Sequence, residues 1–237
     1  MLVLAHRGAR RDAPENTLEA FAAARRRGAD GIELDVHRTA DGELVVHHDA
    51  EAAGLGVLAE HPFAEVRAAL PSVPTLAEVL DACVGMLVNV EIKNAPGDAD
   101  HDPSCRVSEL VVELLDARSG TDTVLVSSFD LATIDRVRAL SAELPTGFLS
   151  FGLDPFDVLE LARSQGHSAV HPDAWTLAPV AAEVVARAER FAIDVNTWTV
   201  NEAETMLALA TAGIDAVITD VPEVALRTLG RAPGPPA

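Results

Sequence analysis

Residues 31–49 read GIELDVHRTADGELVVHHD, and this stretch combines a strand pattern with reactive side chains. It opens with alternating apolar and acidic residues. Because a strand sends successive side chains to opposite faces, Glu33 and Asp35 share one face. The pair Asp41-Gly42 then predicts a tight turn, and residues 43–46 return as a second short strand. The stretch therefore predicts a β-hairpin with two carboxylates on one side.

The returning strand ends in His47, His48 and Asp49. Histidine is the side chain that titrates nearest neutral pH, so two carboxylates close to two histidines indicate a divalent-metal site with acid–base groups beside it. Adjacent residues on a strand face opposite ways, so only one of the two histidines can face such a site. The residues alone leave the choice between His47 and His48 open.

Around this stretch, buried-type strands alternate with helical patterns along the chain. Eight strands begin at residues 2, 31, 86, 123, 146, 168, 192 and 216. Helices are predicted over residues 18–27, 76–82, 104–117, 131–140, 156–164, 180–188, 203–212 and 222–229. This alternation predicts an α/β fold, a (β/α)8 TIM barrel with a short β-hairpin excursion after the second strand. An open doubly wound sheet is the alternative, although no glycine-rich nucleotide-binding turn follows the first strand.

The pattern predicts one barrel domain over residues 1–230 and a flexible, proline-rich tail over residues 231–237. Residues 50–73 show no strong period and are interpreted as an excursion between units. Either Asn16 or Thr17 can cap the first helix.

The composition excludes some partners. The formal charge is −19, from 18 basic and 37 acidic residues, which argues against binding to nucleic acid or anionic lipid. No apolar run approaches the roughly 18 residues of a membrane span.

Cys83 and Cys105 form no ligand cluster, so they are interpreted as reduced thiols. A cytoplasmic, soluble protein without stable membrane insertion is expected. An acidic surface names no protein partner, and the oligomeric state stays open.

Charged residues collect at the predicted carboxyl ends of the strands, where barrels of this type carry their function. Glu91 joins Glu33 and Asp35 there. Two carboxylates about 4 Å apart repel by roughly 4 kcal/mol at an effective dielectric of about 20, so a third needs a counter-charge. An all-oxygen set selects Mg²⁺ or Ca²⁺ over zinc. The alternative is a salt-bridge network with Arg7, Lys93 or Arg38.

The other histidines have weaker claims. His6 ends the first strand and, with one of His47 and His48, forms the candidate acid–base pair. His171 ends the sixth strand and can line the mouth of the barrel. His37 is interpreted as a rim residue, and the remaining three, His61, His101 and His167, as solvated.

Several short segments resemble the glycerophosphodiester phosphodiesterase family, in the family's order and over nearly the whole chain. They are HRG at 6–8, PENT at 14–17, GIELDV at 31–36, HD at 48–49, PTL at 74–76, EIK at 91–93, SSF at 127–129, WTVN at 198–201 and ITDVP at 218–222. The resemblance implies a TIM barrel that hydrolyses glycerophosphodiesters to glycerol 3-phosphate and an alcohol, with one divalent cation, Mg²⁺ or Ca²⁺.

The resemblance also implies a role for each matching residue. It assigns the metal to Glu33, Asp35 and Glu91. It makes His6 and His48 the catalytic pair, so it selects His48 over His47. The same resemblance assigns substrate binding to Arg7 and Lys93 at the phosphate and to Trp198 at the glycerol. A core residue of the seventh strand is the alternative for Trp198. Glu15 and Asn16 are interpreted as helix-capping residues that shape the first loop.

The segment after His48-Asp49 departs from the family pattern. Members commonly carry an Arg-Thr-Thr-Gly-type segment and a small subdomain, whereas residues 50–72 are short here. This difference bears on substrate choice. The predicted enzyme is a phosphoric diester hydrolase of lipid and glycerol metabolism. The alternatives are a lysophospholipase D-like enzyme on the same barrel, a metal-dependent isomerase or aldolase, and a non-catalytic binding protein.

Overall fold

The structure is a computed structural model that describes residues 1–118, 120 and 122–235. Its strands are β1 (Leu2–His6), β2 (Gly31–Arg38), β3 (Leu44–Val46), β4 (Glu51–Ala52), β5 (Gly56–Val57), β6 (Leu87–Ile92), β7 (Thr123–Ser128), β8 (Thr146–Ser150), β9 (Ala169–Pro172), β10 (Asp194–Thr197) and β11 (Ala216–Thr219). Eight of them pair in parallel, in the order β1, β11, β10, β9, β8, β7, β6, β2. Because β1 also pairs with β2, the sheet closes. The predicted (β/α)8 TIM barrel is confirmed, and the open sheet is excluded.

Helices follow the barrel strands in sequence. They are α1 (Leu18–Arg27), α2 (Phe63–Ala69), α3 (Leu76–Ala82), α4 (Arg106–Ala117), α5 (Leu131–Leu140), α6 (Pro155–Gln165), α7 (Ala174–Leu177), α8 (Ala181–Ala188), α9 (Ala203–Ala212) and α10 (Pro222–Thr228). These helices pack against the outer face of the barrel, and the side chains at this contact form two large apolar clusters.

Local signals account for the ends of α1. Thr17 is its N-cap and accepts a hydrogen bond from the backbone N–H of Ala20 at 3.2 Å. Gly28 follows the last turn with φ 86°, a left-handed conformation that glycine adopts without strain. Of the two residues that the sequence offers as caps, Thr17 is therefore the one that is used.

The excursion after β2 contains a helix that the sequence pattern does not predict. Strand β3 pairs antiparallel with β2, and β4 pairs with β5 as a second small hairpin. Helix α2 follows and contributes Val66 to a separate apolar cluster with Val45 and Leu58. The helix has only 7 residues, too few for a clear helical period.

The inside of the barrel is apolar at the end where β1 and β11 begin and polar nearer the mouth. Leu4, Ala216 and Ile218 form a small buried cluster. Asn89 and His171 are fully buried inside the same barrel. Because the strands carry polar residues towards their carboxyl ends, the mouth is the end where functional side chains are expected.

The predicted tail is held to the barrel over its first residues. The guanidinium of Arg231 donates to both carboxylate oxygens of Asp30, at 2.7 and 2.8 Å. The N–H of Gly234 donates to the carbonyl of Arg27 at 2.8 Å. Residues 236 and 237 lie outside the described residues, so a flexible end stays a prediction. Of the described helices, none has the length and apolar character needed to cross a membrane.

Candidate active site

Three buried carboxylates lie together at the mouth of the barrel. Glu33 and Asp35 are carried by β2, and Glu91 by its neighbour β6, where Asp35 and Glu91 are register partners. One ligand atom from each residue lies within 4.8 Å of the others. All three side chains are buried. The alternation seen in the sequence has therefore brought the three predicted metal ligands into one cluster.

The pKa values of this cluster reflect burial and mutual repulsion. Burial, together with the charges of Asp35 and Glu91, raises the pKa of Glu33 well above its usual value. Burial and the Asp35 charge raise the pKa of Glu91 to about 7. Burial also acts to raise the pKa of Asp35, but Lys93 and Arg7 outweigh it and hold that pKa low. The cluster thus carries more acidic groups than its neighbouring cations neutralise.

The salt-bridge alternative is partly realised in the structure. Nζ of Lys93 donates to Glu91 at 2.8 Å and lies 3.4 Å from Asp35. Nε of Arg7 lies 3.1 Å from Asp35. The third cation of that alternative, Arg38, lies instead beside Asp102 at 3.7 Å. Two cations therefore face three carboxylates.

The residues also fit a divalent cation. Oε1 of Glu33 is buried and accepts no hydrogen bond within the described part of the chain, and Oδ1 of Asp35 has only the longer contact with Nζ of Lys93 there, at 3.4 Å. Buried carboxylate oxygens without a donor are costly, and a cation would satisfy them. Oxygen-only donors suit Mg²⁺ or Ca²⁺. The cluster can hold such an ion.

Arg7 has an unusual backbone, which aims its functional groups at the cluster. Its φ is 55°, in the left-handed region that non-glycine residues seldom adopt. Its backbone N–H donates to Glu33 at 3.1 Å, and its Nη1 donates to Glu15 at 3.0 Å. Such strain is typical of functional sites.

Asn16 and Glu15 do more than shape the first loop. The side-chain amide of Asn16 donates to Asp35 at 2.9 Å, and Asn16 shares the left-handed backbone with φ 56°. Glu15 accepts from Arg7 and lies 2.7 Å from Arg10. The sequence interpretation was incomplete here, because the loop meets Asp35 and Arg7 only after β1 and β2 pair.

His6 is oriented by an acidic residue that sequence reasoning missed. Its Nδ1 lies 2.7 Å from Oδ1 of Asp220, which directly follows β11. Burial acts to raise the pKa of Asp220, but hydrogen bonds with His6 and Asn201 bring it to about 2. A carboxylate can only accept, so Nδ1 of His6 donates to it. Nε2 then points to the cluster, 3.9 Å from Glu33. An acidic residue after the eighth strand is the signal that could have revealed Asp220.

His48 lies on the other side of the mouth, near Lys93. Its Nδ1 lies 2.7 Å from the carboxylate of Asp49, and the two line a cavity with Lys93. Burial lowers the pKa of His48, so the ring is neutral at pH 7. The Nδ1 of His47 lies instead 2.8 Å from the carbonyl of Asp49.

Three further histidines differ from their predicted settings because partners elsewhere in the chain bury them. His37 is buried and lies 2.6 Å from Asp100. His167 is buried between Thr146 and Asp135, so it is not solvated. His171 lies inside the barrel rather than at its mouth.

Trp198 follows β10 at the mouth. Its Nε1 donates to the carbonyl of His171 at 2.8 Å, and its ring meets Phe129 edge-on with centroids 5.2 Å apart. It packs on the apolar cluster inside the barrel and also lines an open groove. Both interpretations of Trp198, core and pocket wall, therefore describe part of its environment.

Comparison with known proteins decides the family. The model of the glycerophosphoryl diester phosphodiesterase family matches residues 6–224. The chain belongs to this family. It is 32% identical to a glycerophosphodiester phosphodiesterase of Caldanaerobacter subterraneus subsp. tengcongensis, over 94% of this chain and 95% of the relative. Membership confirms the resemblance seen in the sequence.

Solved structures of the family share the fold. A glycerophosphodiester phosphodiesterase from Thermotoga maritima superposes with a TM-score of 0.79 at 28% identity, covering 98% of both chains. A phosphodiesterase from Oleispira antarctica, solved with its product sn-glycerol-3-phosphate, gives 0.83 at 25% identity and covers 97% of both chains. The protein is an enzyme of this family, a phosphoric diester hydrolase.

Proposed function

We propose that the protein hydrolyses glycerophosphodiesters to glycerol 3-phosphate and an alcohol, in a reaction that needs one divalent cation. The observation that carries the proposal is the buried cluster of Glu33, Asp35 and Glu91, in which Oε1 of Glu33 accepts no hydrogen bond from the described residues and two basic side chains lie beside the carboxylates. The product complex of the Oleispira antarctica relative agrees with this substrate class.

Substrate binding is assigned to basic side chains at the site, which provide local positive charge on an otherwise acidic protein. The protein carries a formal charge of −19, and its phosphodiester substrate is an anion. Arg7 and Lys93 flank the cluster and are the groups proposed to hold the phosphate oxygens. Trp198 is proposed to pack against the glycerol. Bound to the three carboxylates, Mg²⁺ or Ca²⁺ would supply positive charge that stabilises the charge developing on the phosphoryl group.

The two proposed catalytic histidines have different settings. Burial lowers the pKa of His48, so its neutral ring suits removal of a proton from the attacking hydroxyl. His6 is then the group that donates a proton to the leaving oxygen at Nε2, because Nδ1 is engaged by Asp220. The attacking hydroxyl can belong to the glycerol or to water, since either needs the same base.

Release of glycerol 3-phosphate from glycerophosphocholine tests the proposal. We expect His48→Ala and His6→Ala each to lower kcat by about 10² to 10⁴-fold, since each removes an acid–base group. His61→Ala is the matched control, because Nδ1 of His61 lies 2.9 Å from Glu65 on the excursion and not beside the carboxylate cluster. Wild-type turnover in both His6 and His48 variants would contradict the assignment.

The requirement for a divalent cation can be tested separately, by activity with and without a chelator and by the Tm of the protein. A chelator should abolish activity, and Mg²⁺ or Ca²⁺ should restore it. The ion should also raise the Tm of the wild type, because a ligand that binds only the folded state stabilises it. Glu91→Gln should weaken that rise in Tm strongly. An enzyme that keeps full activity in chelator would refute a catalytic metal.

A further inference from the structure

His37 is a buried histidine near the end of β2, paired with an equally buried aspartate. The side chain of His37 is 1% exposed, and that of Asp100 is 3% exposed. Nδ1 of His37 lies 2.6 Å from Oδ2 of Asp100, a hydrogen bond that needs one proton between the two atoms. Because the cost of desolvating a buried ionisable pair offsets its attraction, stability alone is a weak reason for this pair.

The other ring nitrogen of His37 contacts His48, the proposed base. Nε2 of His37 lies 3.2 Å from the backbone carbonyl oxygen of His48. Because a carbonyl oxygen can only accept, Nε2 carries a hydrogen and is the donor. One buried ring therefore connects Asp100 with the backbone of a proposed catalytic residue.

Few hydrogen bonds within the described part of the chain fix the position of His48. Strand β3 ends at residue 46, and the last hydrogen bond between this segment and β2 runs from the N–H of His47 to the carbonyl of Asp35 at 3.1 Å. The side chain of Asp49, which contacts Nδ1 of His48, is 71% exposed. His48 also borders a cavity of about 540 Å³, so it has room to move. Among the described residues, His37 is the one that hydrogen-bonds to the backbone of His48.

Asp100 is presented by a loop that is itself held in place. The loop follows β6, and the buried Asn94 at its start binds it on both sides. The amide of Asn94 donates to the carbonyl of Asp102 at 3.1 Å, and its side-chain oxygen accepts from the N–H of Asp102 at 2.8 Å. The same amide donates to the hydroxyl of Thr133 on α5 at 3.0 Å. The chain of contacts therefore runs from the barrel through Asp100 and His37 to His48.

We propose that His37, held by Asp100, is a positioning residue for His48. Its ring fixes the backbone of His48 so that the imidazole of His48 lies beside the carboxylate cluster. This inference rests on the proposed function, in which His48 removes a proton from the attacking hydroxyl. His37 acts through His48 and takes no part in the proton transfer itself.

Two amide variants of His37 separate its two contacts. The amide nitrogen of glutamine can reach the position of Nε2, whereas that of asparagine reaches only the position of Nδ1. We expect His37→Asn to lower kcat on glycerophosphocholine about 10²-fold, with KM changed less than about twofold, because displacing a catalytic group is costly in rate. His37→Gln keeps a donor for His48, so its kcat should stay within about threefold of the wild type. Equal kcat values for the two variants would overturn the proposal.

His167→Asn is the matched control. His167 is also buried and lies 3.0 Å from an aspartate, Asp135, but it precedes β9 at the end of the barrel opposite the mouth. Its substitution should lower the Tm and leave kcat unchanged. A kcat as low as that of His37→Asn would show a general effect of removing a buried histidine and would contradict the proposal.

A double-mutant cycle tests whether His37 acts through His48. In a His48→Ala protein, His37→Asn should lower kcat no further, because the side chain that it positions is gone. An equal fold-loss in both backgrounds would mean that His37 supports the fold in general, and would overturn the proposal.

The contact can also be measured without catalysis. In protein with isotopically labelled histidine, the NMR signals of the His48 ring are identified by their loss in His48→Ala. His37→Asn should shift these signals, and His37→Gln should shift them much less. Such shifts, together with wild-type turnover of His48→Ala, would support the contact and refute the proposed catalytic role of His48. A slow His48→Ala variant with wild-type turnover of His37→Asn would refute the positioning role alone.

Discussion

Asp220 holds one of the two proposed catalytic histidines by a single short contact. It accepts from Nδ1 of His6 at 2.7 Å, and it is itself held by Asn201. Its low pKa keeps it a carboxylate throughout the neutral range. Asp220 therefore acts as a positioning residue, because its carboxylate determines which ring nitrogen of His6 faces the cluster.

Asp220→Asn should therefore lower kcat more than it raises KM. The amide can present its NH₂ group to Nδ1, which would turn the ring or reverse its tautomer, and such misplacement costs about 10²-fold in rate. Steady-state kinetics on glycerophosphocholine measures the two parameters. Asp12→Asn is the control, because Asp12 also pairs with a basic side chain, Arg27 at 2.7 Å, and not with a histidine of the cluster. Similar kcat values for both variants would exclude a positioning role for Asp220.

The sequence predicted the residues of this site better than their partners. All three carboxylates, Arg7 and Lys93 could be found because strand alternation and strand ends are local patterns. Asp220 and Asn16 were missed as partners, because each meets its partner only through strand pairing. His6 and Asp220 are 214 residues apart in the chain. No local pattern reports a contact of that kind.

Among the secondary-structure elements, too, those with clear local signals were predicted and those that depend on tertiary packing were missed. Helices with strong ends, such as α1 and α5, match their predicted bounds, since caps and apolar period agree. The short helices α2 and α7 were missed. They are 7 and 4 residues long, and packing rather than periodicity stabilises them.

Strand β9 carries a titratable group into the barrel, with a consequence for stability. His171 is fully buried, and burial lowers its pKa to about 3. In the unfolded chain a histidine has a pKa of about 6.5. Between these values the unfolded state binds more protons, so the folded state loses stability as the pH falls through this range.

Because His171 takes up a proton only in the unfolded state, we expect the free energy of unfolding to fall by about 2 kcal/mol between pH 7 and pH 5. His171→Gln removes the titration and can still reach Asn196, which lies 2.9 Å from Nε2 of His171. Urea unfolding of both proteins at the two pH values measures the difference. The variant should lose less stability than the wild type on acidification. An equal loss would show that His171 does not carry the effect.

Closure of the whole barrel depends on how closely β1, β2 and β6 approach one another at the end opposite the mouth. Gly31 opens β2 and pairs with Leu4 on one side and Leu87 on the other. A Cβ at this position would lie 2.3 Å from the carbonyl oxygen of Leu87 and 2.6 Å from Cδ2 of Leu4. The same pairing aligns Glu33 and Asp35 with β6, so the site needs this approach.

Gly31→Ala should consequently destabilise the protein by about 3 kcal/mol or more, because a backbone oxygen cannot move aside as a side chain can. Gly54→Ala is the matched control. Gly54 has φ 82° and open space around it, so alanine there should cost only about 1 kcal/mol of backbone strain. Urea midpoints give both values. If the two variants unfolded at the same midpoint, close strand approach at Gly31 would not be what limits closure, and the alignment of the metal ligands would have to depend on other contacts.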